Sequence, residues 1–286
     1  ISIWGGELEH ELYERSTQVP VVHSVSFGYK DIDTWHKAAL GLVEGHIYSR
    51  NTNPTVRAFE DKVKELENAE AATSFSSGMA AISNTLGTFL KSGDRIVSIK
   101  DSYGGTNVIF NEFLPPLNIQ VALCETDDDK QILSEISKGC QILYLETPTN
   151  PTIKITDIKK LSKAAKEVGA LVVVDNTFAT PINQNPLALG ANIVLHSASK
   201  YLGGHADALG GVCAGNKDLI KKIYHYREIN GATLAPMDAY SLLRGMKTLK
   251  LRVEKQNESA MIIANHLQQH PLVEQVNYPG LKTHPG

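Results

Sequence analysis

The spacing of apolar positions changes along the chain and predicts where helices and strands lie. After Asn53, which is followed by proline, apolar residues recur at helical spacing over residues 56–66, so a capped helix is predicted there. A second helical stripe covers residues 79–89, and a third covers residues 157–168. From residue 216 onward the pattern is mostly helical, whereas residues 1–50 show no clear period and predict an arm of short irregular pieces.

Between the helical stretches, short apolar runs predict β-strands. They cover residues 95–99, 119–123, 141–146, 170–175, 191–196 and 210–215. Strands that alternate with helices are typical of an α/β fold, in which a mostly parallel sheet carries helices on both faces. A chain of 286 residues is long enough to build a large core of this kind.

The composition argues against several classes of protein. A net charge of −3 favours neither nucleic acid nor a membrane surface as a partner. No apolar run is long enough to cross a bilayer, and the first residues do not resemble a secretory signal. The three cysteines form no CxxC pair, which fits a reducing cytoplasm and predicts neither a disulfide framework nor a metal site.

Residues that carry chemistry follow the predicted strands, at the edge where open α/β sheets bind ligands. Asp175 ends the run "LVVVD", so its carboxyl is expected to be partly desolvated and to need a hydrogen-bonding or cationic partner. A turn cap or an ordinary ion pair would also explain this residue. Tyr103 follows the predicted strand at 95–99 and is suited to stack on a flat ring, unless it is simply a half-buried tyrosine.

Two segments have the composition of a phosphate-binding site. Residues 77–79 (Ser-Gly-Met) lie where the chain enters a helix, and the free N–H groups at a helix start bind phosphate. An ordinary serine cap is the simpler alternative. Ser197 and Ser199 follow a predicted strand, and in an extended chain both hydroxyls would face one phosphate, whereas a polar turn is the alternative.

The combination of these residues with Lys200, 25 positions after Asp175, points to one cofactor. A lysine amine forms a Schiff base with the aldehyde of pyridoxal 5′-phosphate (PLP), and a carboxylate keeps the ring nitrogen protonated. The protonated ring accepts electrons from an amino acid's Cα. A phosphate cradle, a platform for a flat ring, an acid and a lysine together predict PLP.

With these residues in view, the chain resembles the Cys/Met-metabolism (trans-sulfuration) PLP enzymes. The motifs that carry the resemblance span residues 48–286, and they read "YSRNTNPT", "SSGMAA", "DSYGGT", "ETPTNP", "VVDNTFATP", "PLALGA", "HSASKYLGGHAD" and "NYPGLKTHPG". The resemblance implies the aspartate aminotransferase-like fold (fold type I). It also implies an N-terminal arm at 1–50 that reaches a neighbouring subunit, a PLP-binding domain at 51–245 and a C-terminal portion at 246–286.

The resemblance also assigns roles to individual residues. Lys200 would be the Schiff-base lysine and proton shuttle, Asp175 would pair with the ring nitrogen, and Tyr103 would stack on the ring and help protonate the leaving group. The other cofactor-binding residues that it implies are Ser77, Gly78, Met79, Asn150, Thr177, Ser197 and Ser199, with Tyr48 and Arg50 reaching the phosphate of the neighbouring subunit. The site would then need a homodimer at least, and a homotetramer is expected.

Two departures from the family pattern stand out. Ser199 replaces the usual threonine before the lysine, and it keeps the hydroxyl. Relatives also continue into a smaller C-terminal domain with the arginine that clamps the substrate carboxylate, and that arginine has no counterpart in this sequence. Residues 246–286 are therefore expected to be a linking helix and the start of a C-terminal domain that is incomplete here.

Within the family, we expect cystathionine γ-synthase activity, in which cysteine replaces the acyl group of an O-acylated homoserine. Gly105 stands where methionine γ-lyases typically carry cysteine, which argues against that activity. Ile47 stands where cystathionine-handling relatives often have an acidic residue, so a smaller thiol or an uncharged substituent also fits. Cystathionine γ-lyase is the first alternative and O-acylhomoserine sulfhydrylase the next, followed by methionine γ-lyase.

Three other classes of function fit the sequence less well than a PLP enzyme. A protein that only binds a ligand on the same fold would not need the lysine, acid and tyrosine together. An NAD-dependent dehydrogenase would carry GxGxxG between the first strand and helix, and none occurs there. A metal enzyme using His196, His205 and Asp207 lacks an HExxH or similar helical pair, so no metal is predicted.

Overall fold

One sheet organises the part of the chain that this computed structural model describes, residues 16–285. Its seven strands are β1 (Ala71–Phe75), β2 (Arg95–Ile99), β3 (Gln120–Cys124), β4 (Ile142–Glu146), β5 (Leu171–Asp175), β6 (Ile193–Ser197) and β7 (Gly211–Gly215). Their spatial order is β1-β7-β6-β5-β4-β2-β3. Neighbouring strands from β6 to β3 are parallel, and β7 runs antiparallel to both β1 and β6. The sheet is therefore mixed and mostly parallel, as expected.

Helices connect the strands and cover the sheet. They are α1 (Ile32–Ala39), α2 (Pro54–Leu66), α3 (Gly78–Phe89), α4 (Gly104–Val108), α5 (Asp129–Ser137), α6 (Ile158–Glu167), α7 (Thr180–Asn183), α8 (Lys217–Asn230), α9 (Pro236–Met246) and α10 (Leu249–Gln268). A π turn at Ile109–Phe113 follows α4, and 3₁₀ turns lie at Pro115–Leu117 and Pro186–Leu189. In the described chain, none of these helices is long and apolar enough to cross a membrane.

Side-chain caps fix the starts of the predicted helices. The Asn53 side chain accepts the N–H groups of Thr55 and Val56 at the start of α2, with proline in the first turn. Ser77 caps α3 and Asp157 caps α6 in the same way. These residues stop the preceding segment and satisfy N–H groups that a helix start leaves free.

Alternating residues of the strands pack into cores on opposite faces of the sheet. Ile142 and Tyr144 of β4 pack with α3 and α8 on one face, whereas Leu143 and Leu145 pack with α5 and α6 on the other. Near β1 and β7 the second face is covered by α2 and α9. The candidate site residues at the strand ends are thus held in place by strands that are buried on both faces.

Some elements differ from the sequence-based expectation. The arm expected to be irregular contains α1, which Asp31 caps through the N–H of Thr34 and in which only Ala38 is buried. Strand β1 and helix α5 were not predicted, because "AATSF" and "DKQILSEIS" mix polar and apolar residues. Residues 1–15 of the arm lie outside the described residues.

Candidate functional site

A pocket of about 240 Å³ opens at the carboxyl ends of β4, β5 and β6, beside the start of α3. Most of the predicted site residues line it, namely Ser77, Gly78, Met79, Tyr103, Asn150, Asp175, Thr177, Ser197, Ser199 and Lys200. Chain segments more than 120 residues apart in sequence therefore converge at the edge where ligands of α/β proteins bind.

Asp175 ends β5 and is buried. Its Oδ1 accepts the N–H of Thr177 at 3.0 Å. Burial raises the pKa of Asp175, and the hydrogen bonds from Thr177 and the nearby His196 oppose that rise. The expected partial desolvation is present, and the carboxyl has a hydrogen-bonding partner but no cation bound to it among the described residues.

Glu146 lines the same pocket, although sequence reasoning did not select it. It ends β4 and pairs in register with Asp175 on the adjacent parallel strand, so both carboxyls extend the face that carries Tyr144. Burial, and next the Asp175 carboxyl, raise the pKa of Glu146. The signal was available, because an acid ends "ILYLE" just as one ends "LVVVD".

The start of α3 and the end of β6 approach each other closely. A Cβ added at Gly78 would lie 2.7 Å from the Cβ of Ser197 and 2.9 Å from its Oγ, so only glycine fits at this position. The Ser77 hydroxyl accepts the N–H of Ala80 at 3.1 Å as the helix cap. The N–H groups of Gly78 and Met79 lie in the first turn, where a helix has no acceptors of its own for them. A helix start and a serine hydroxyl thus meet in one place suited to an anion.

Lys200 lies in a turn rather than in extended chain. Its N–H donates to the Ser197 carbonyl at 3.2 Å, and the Ser199 hydroxyl donates to the Gly210 carbonyl at 3.2 Å and accepts the Gly210 N–H at 3.0 Å. The expectation that both serines project from an extended strand was therefore wrong, because Ser199 closes the loop between β6 and β7. The Thr177 hydroxyl accepts the N–H of Ser197 at 2.8 Å and so joins the ends of β5 and β6.

Tyr103 and Asn150 stand on two loops that flank the carboxyl pair. Tyr103 immediately precedes α4 and is 46% exposed, so one part of its ring is available to a ligand. Asn150 follows β4 by four residues, in a loop stabilised by a hydrogen bond from the Thr149 N–H to the Lys154 carbonyl at 3.0 Å. Both residues line the pocket.

Tyr48 and Arg50 do not join the pocket within one chain. Tyr48 is 40% exposed and forms an isolated bridge with Ser26, and the Arg50 guanidinium lies 5.2 Å from the centre of its ring. Asn51 anchors this segment, because Arg227 donates to its carbonyl at 2.5 Å and its amide donates to Glu228.

A buried polar group supports the back of the sheet near the pocket. His196 on β6 places Nε2 2.6 Å from Oε1 of Glu67, which also accepts from the Asn176 amide at 2.9 Å. The ring and the carboxylate are almost fully buried. The sequence analysis considered His196 only as a possible metal ligand and did not single out Glu67, whose partners lie 109 and 129 residues away in the sequence.

The residues present fit pyridoxal 5′-phosphate. The start of α3 and the nearby Ser197 hydroxyl offer hydrogen-bond donors to a phosphate, the buried Asp175 offers a carboxyl to a ring nitrogen, and Lys200 offers an amine for an aldehyde. Fold and pocket together define an α/β protein of the PLP-binding class.

The chain belongs to the family described as Cys/Met metabolism PLP-dependent enzyme, whose sequence model matches residues 2–286. The L-methionine gamma-lyase of Fusobacterium nucleatum subsp. polymorphum is 45% identical over 245 residues, which are 85% of this chain and 62% of that protein. The cystathionine gamma-lyase of Bacillus subtilis (strain 168) is 43% identical over 264 residues, 92% of this chain and 69% of that protein. The chain thus spans 62% of the length of the first relative and 69% of the length of the second.

A solved structure gives the same result for the fold. The crystal structure of cystathionine gamma synthase from Xanthomonas oryzae pv. oryzae, in complex with aminoacrylate and cysteine, matches with a TM-score of 0.87 at 35% identity. The match covers 96% of this chain and 70% of that one. Family membership and this likeness confirm the family resemblance, the aspartate aminotransferase-like fold and PLP as cofactor.

Proposed function

We propose that the protein is a cystathionine γ-synthase, which replaces the acyl group of an O-acylated homoserine by the sulfur of cysteine. The observation that carries the proposal is the convergence of Lys200, Tyr103 and Asp175 on one pocket next to an anion-binding helix start. PLP bound there supplies an electron-withdrawing ring that makes the Cα and Cβ protons of an amino acid acidic.

The chain's own residues supply the remaining parts of the reaction. The Lys200 amine holds the cofactor and then serves as the base that removes the Cα proton. The Asp175 carboxylate keeps the ring nitrogen protonated. The Tyr103 hydroxyl gives a proton to the group that leaves Cγ.

The side chains around Gly105 pack so closely that they leave no space for a larger residue at this position. A Cβ at this position would lie 2.7 Å from Sδ of Met79 and 2.9 Å from Cε1 of Tyr103. A cysteine, which methionine γ-lyases typically carry here, would have to displace the ring that we assign to catalysis. This packing favours an activity other than methionine γ-elimination.

The second candidate is cystathionine γ-lyase, which the 43% identity to the Bacillus subtilis protein of that name favours. O-acylhomoserine sulfhydrylase comes third, because Ile47 offers no charge to a distal amine. Methionine γ-lyase is the name of the 45% identical Fusobacterium relative, and it remains the last alternative because of Gly105.

Product analysis with the purified full-length protein tests these alternatives. Cystathionine formed from O-acylated homoserine and cysteine supports the synthase, whereas cysteine and 2-oxobutyrate formed from cystathionine alone support the lyase. Homocysteine formed with sulfide in place of cysteine supports the sulfhydrylase. Inert behaviour with all of these substrates would refute the proposed function.

The assembly and the location are part of the same proposal. Tyr48 and Arg50 would reach the phosphate of a second copy, in a homodimer or in a homotetramer made of two such dimers. Residues 1–50 would form the arm, 51–245 the cofactor domain and 246–286 the beginning of a second domain. The three cysteines are all buried and unpaired, which supports a reducing, cytoplasmic location.

A further inference from the structure

Glu146 is a buried acidic residue of the pocket to which the proposed chemistry gives no task. It is 6% exposed, lines the pocket and stands beside Asp175. A buried carboxyl next to another one is costly unless its oxygens have specific partners. The partners of Glu146 therefore indicate why the position is acidic.

Both carboxyl oxygens of Glu146 accept main-chain hydrogen bonds, one from each loop that flanks the pocket. The Tyr103 N–H donates to Oε2 at 2.7 Å, and the Asn150 N–H donates to Oε1 at 3.2 Å. Tyr103 stands at the start of α4, and Asn150 lies in the loop after β4. One side chain on a rigid central strand thus connects the main chain at both residues.

We propose that Glu146 is a positioning residue for the cofactor ring, because it holds the main chains of Tyr103 and Asn150, which both line the pocket, at a fixed separation. The inference rests on the proposed roles of Tyr103 and Asn150. Glu146 acts through their main chains, so their side chains remain free to contact the ligand.

A second connection between the same loops provides a matched control. Asp101 forms an ion pair with Lys154 at 3.0 Å and accepts from the Thr126 hydroxyl at 2.7 Å. This pair is partly exposed and does not line the pocket. If Glu146 merely stabilised the loops, loss of the Asp101 pair would have a comparable effect.

The test compares Glu146→Gln with Asp101→Asn in the full-length protein. Glutamine has the same shape but presents one N–H₂ donor to a main-chain N–H, so one of the two hydrogen bonds is lost. We expect the dissociation constant of PLP, measured by equilibrium dialysis of the cofactor-free protein, to rise about tenfold in E146Q. The circular dichroism of the cofactor's visible band should fall, and in D101N both values should stay within about twofold of wild type.

Thermal unfolding of the cofactor-free protein separates positioning from general stabilisation. E146Q removes an ionisable carboxyl beside Asp175 and this offsets part of the lost hydrogen bond, so the unfolding temperature should stay close to that of wild type while PLP binding weakens. Unchanged PLP affinity and dichroism in E146Q would overturn the proposal, as would equal losses in D101N. If E146Q does not fold, Glu146→Asp takes its place, because it keeps the charge but is too short to reach both N–H groups. A wild-type protein that binds PLP yet makes none of the tested products would refute the proposed function alone.

Discussion

The pocket and the segment around Tyr48 and Arg50 differ in how completely one chain builds them. In the pocket, Asp175, Thr177 and Ser197 are joined by hydrogen bonds within the chain. The other segment holds its two predicted site residues at the surface, away from the pocket, next to exposed apolar residues such as Leu42, which is 71% exposed. Ten of the twelve predicted site residues thus line one pocket within a single chain, and the other two do not.

The distribution of positive charge suggests why the pocket would need the second segment. Among the described residues that line the pocket, Lys200 is the only lysine or arginine, and its amine is assigned to the cofactor's aldehyde. A doubly charged phosphate at the start of α3 would then meet helix N–H groups and hydroxyls but no cation. In the dimer that we propose, Arg50 of a second copy would supply that charge.

The largest expected effect comes from a substitution inside the pocket, which leaves the segment around Tyr48 and Arg50 unchanged. Lys200→Ala should lower turnover by about 10⁴-fold, because the amine is both the anchor of the cofactor and the base. The rate of product formation and the absorption band of the lysine-bound cofactor measure this effect. Lys159→Ala, on the exposed surface of α6, is the matched control and should leave both unchanged.

Asp175→Asn should lower turnover by about 10³-fold while most of the cofactor remains bound. An amide has the size of the carboxyl but cannot keep the ring nitrogen protonated. Exchange of the substrate's Cα proton with deuterium, followed by NMR, measures the affected step directly. Exchange at the wild-type rate would show that the assigned role of Asp175 is incorrect.

Tyr103→Phe should slow the reaction by about 10²-fold, since the ring still stacks and only the proton donor is lost. Cofactor affinity, measured by dialysis, should change little. The loss should be smaller for a substrate whose leaving group needs no proton. Equal rates for the variant and the wild type would assign the proton to another group.

Arg50→Ala has the smallest expected effect and tests the second region. It should weaken PLP binding about tenfold, because one charge-assisted contact to the phosphate is lost. Co-expression of Arg50→Ala with Lys200→Ala chains sharpens the comparison. At a PLP concentration too low to load the Arg50→Ala dimer, random pairing gives about a quarter of sites with both residues intact, so about a quarter of wild-type activity should return if the sites are shared in a two-fold dimer. Mixed dimers without recovered activity would place Arg50 in the site of its own chain, whereas unchanged PLP binding in Arg50→Ala would place it outside the site.

Sequence reasoning predicted the central sheet well because its strands are buried on both faces. Runs such as those around Val173 and Val194 are apolar throughout, and they end at polar residues where the structure ends the strands. It missed β1, in which Thr73 and Ser74 are buried polar residues. In that strand the Ser74 N–H and hydroxyl both donate to Glu60 at 2.8 Å, a contact that no local pattern encodes.

Most residues of the candidate site could be predicted from their type and order in the sequence. The residues that were not predicted depend instead on contacts between distant parts of the chain. Lys200 and Asp175 are exceptional in their local sequence, so they could be selected without a structure. Glu67 and His196 owe their importance to a contact across 129 residues, which a single sequence does not reveal. The acid at the end of "ILYLE" could have been noticed in the sequence. The role of Glu146, however, depends on which N–H groups lie within reach of its oxygens.

The position of β7 also determines when the protein can assemble during synthesis. The first strand to leave the ribosome, β1, has β7 as its sheet neighbour in the described chain, and the two are about 140 residues apart in the sequence. The loop with Lys200 joins β6 to β7, so a nascent chain that ends before Gly211 holds the reactive lysine in an unclosed segment. Ribosome-bound chains should therefore acquire the ability to bind PLP only after β7 has emerged.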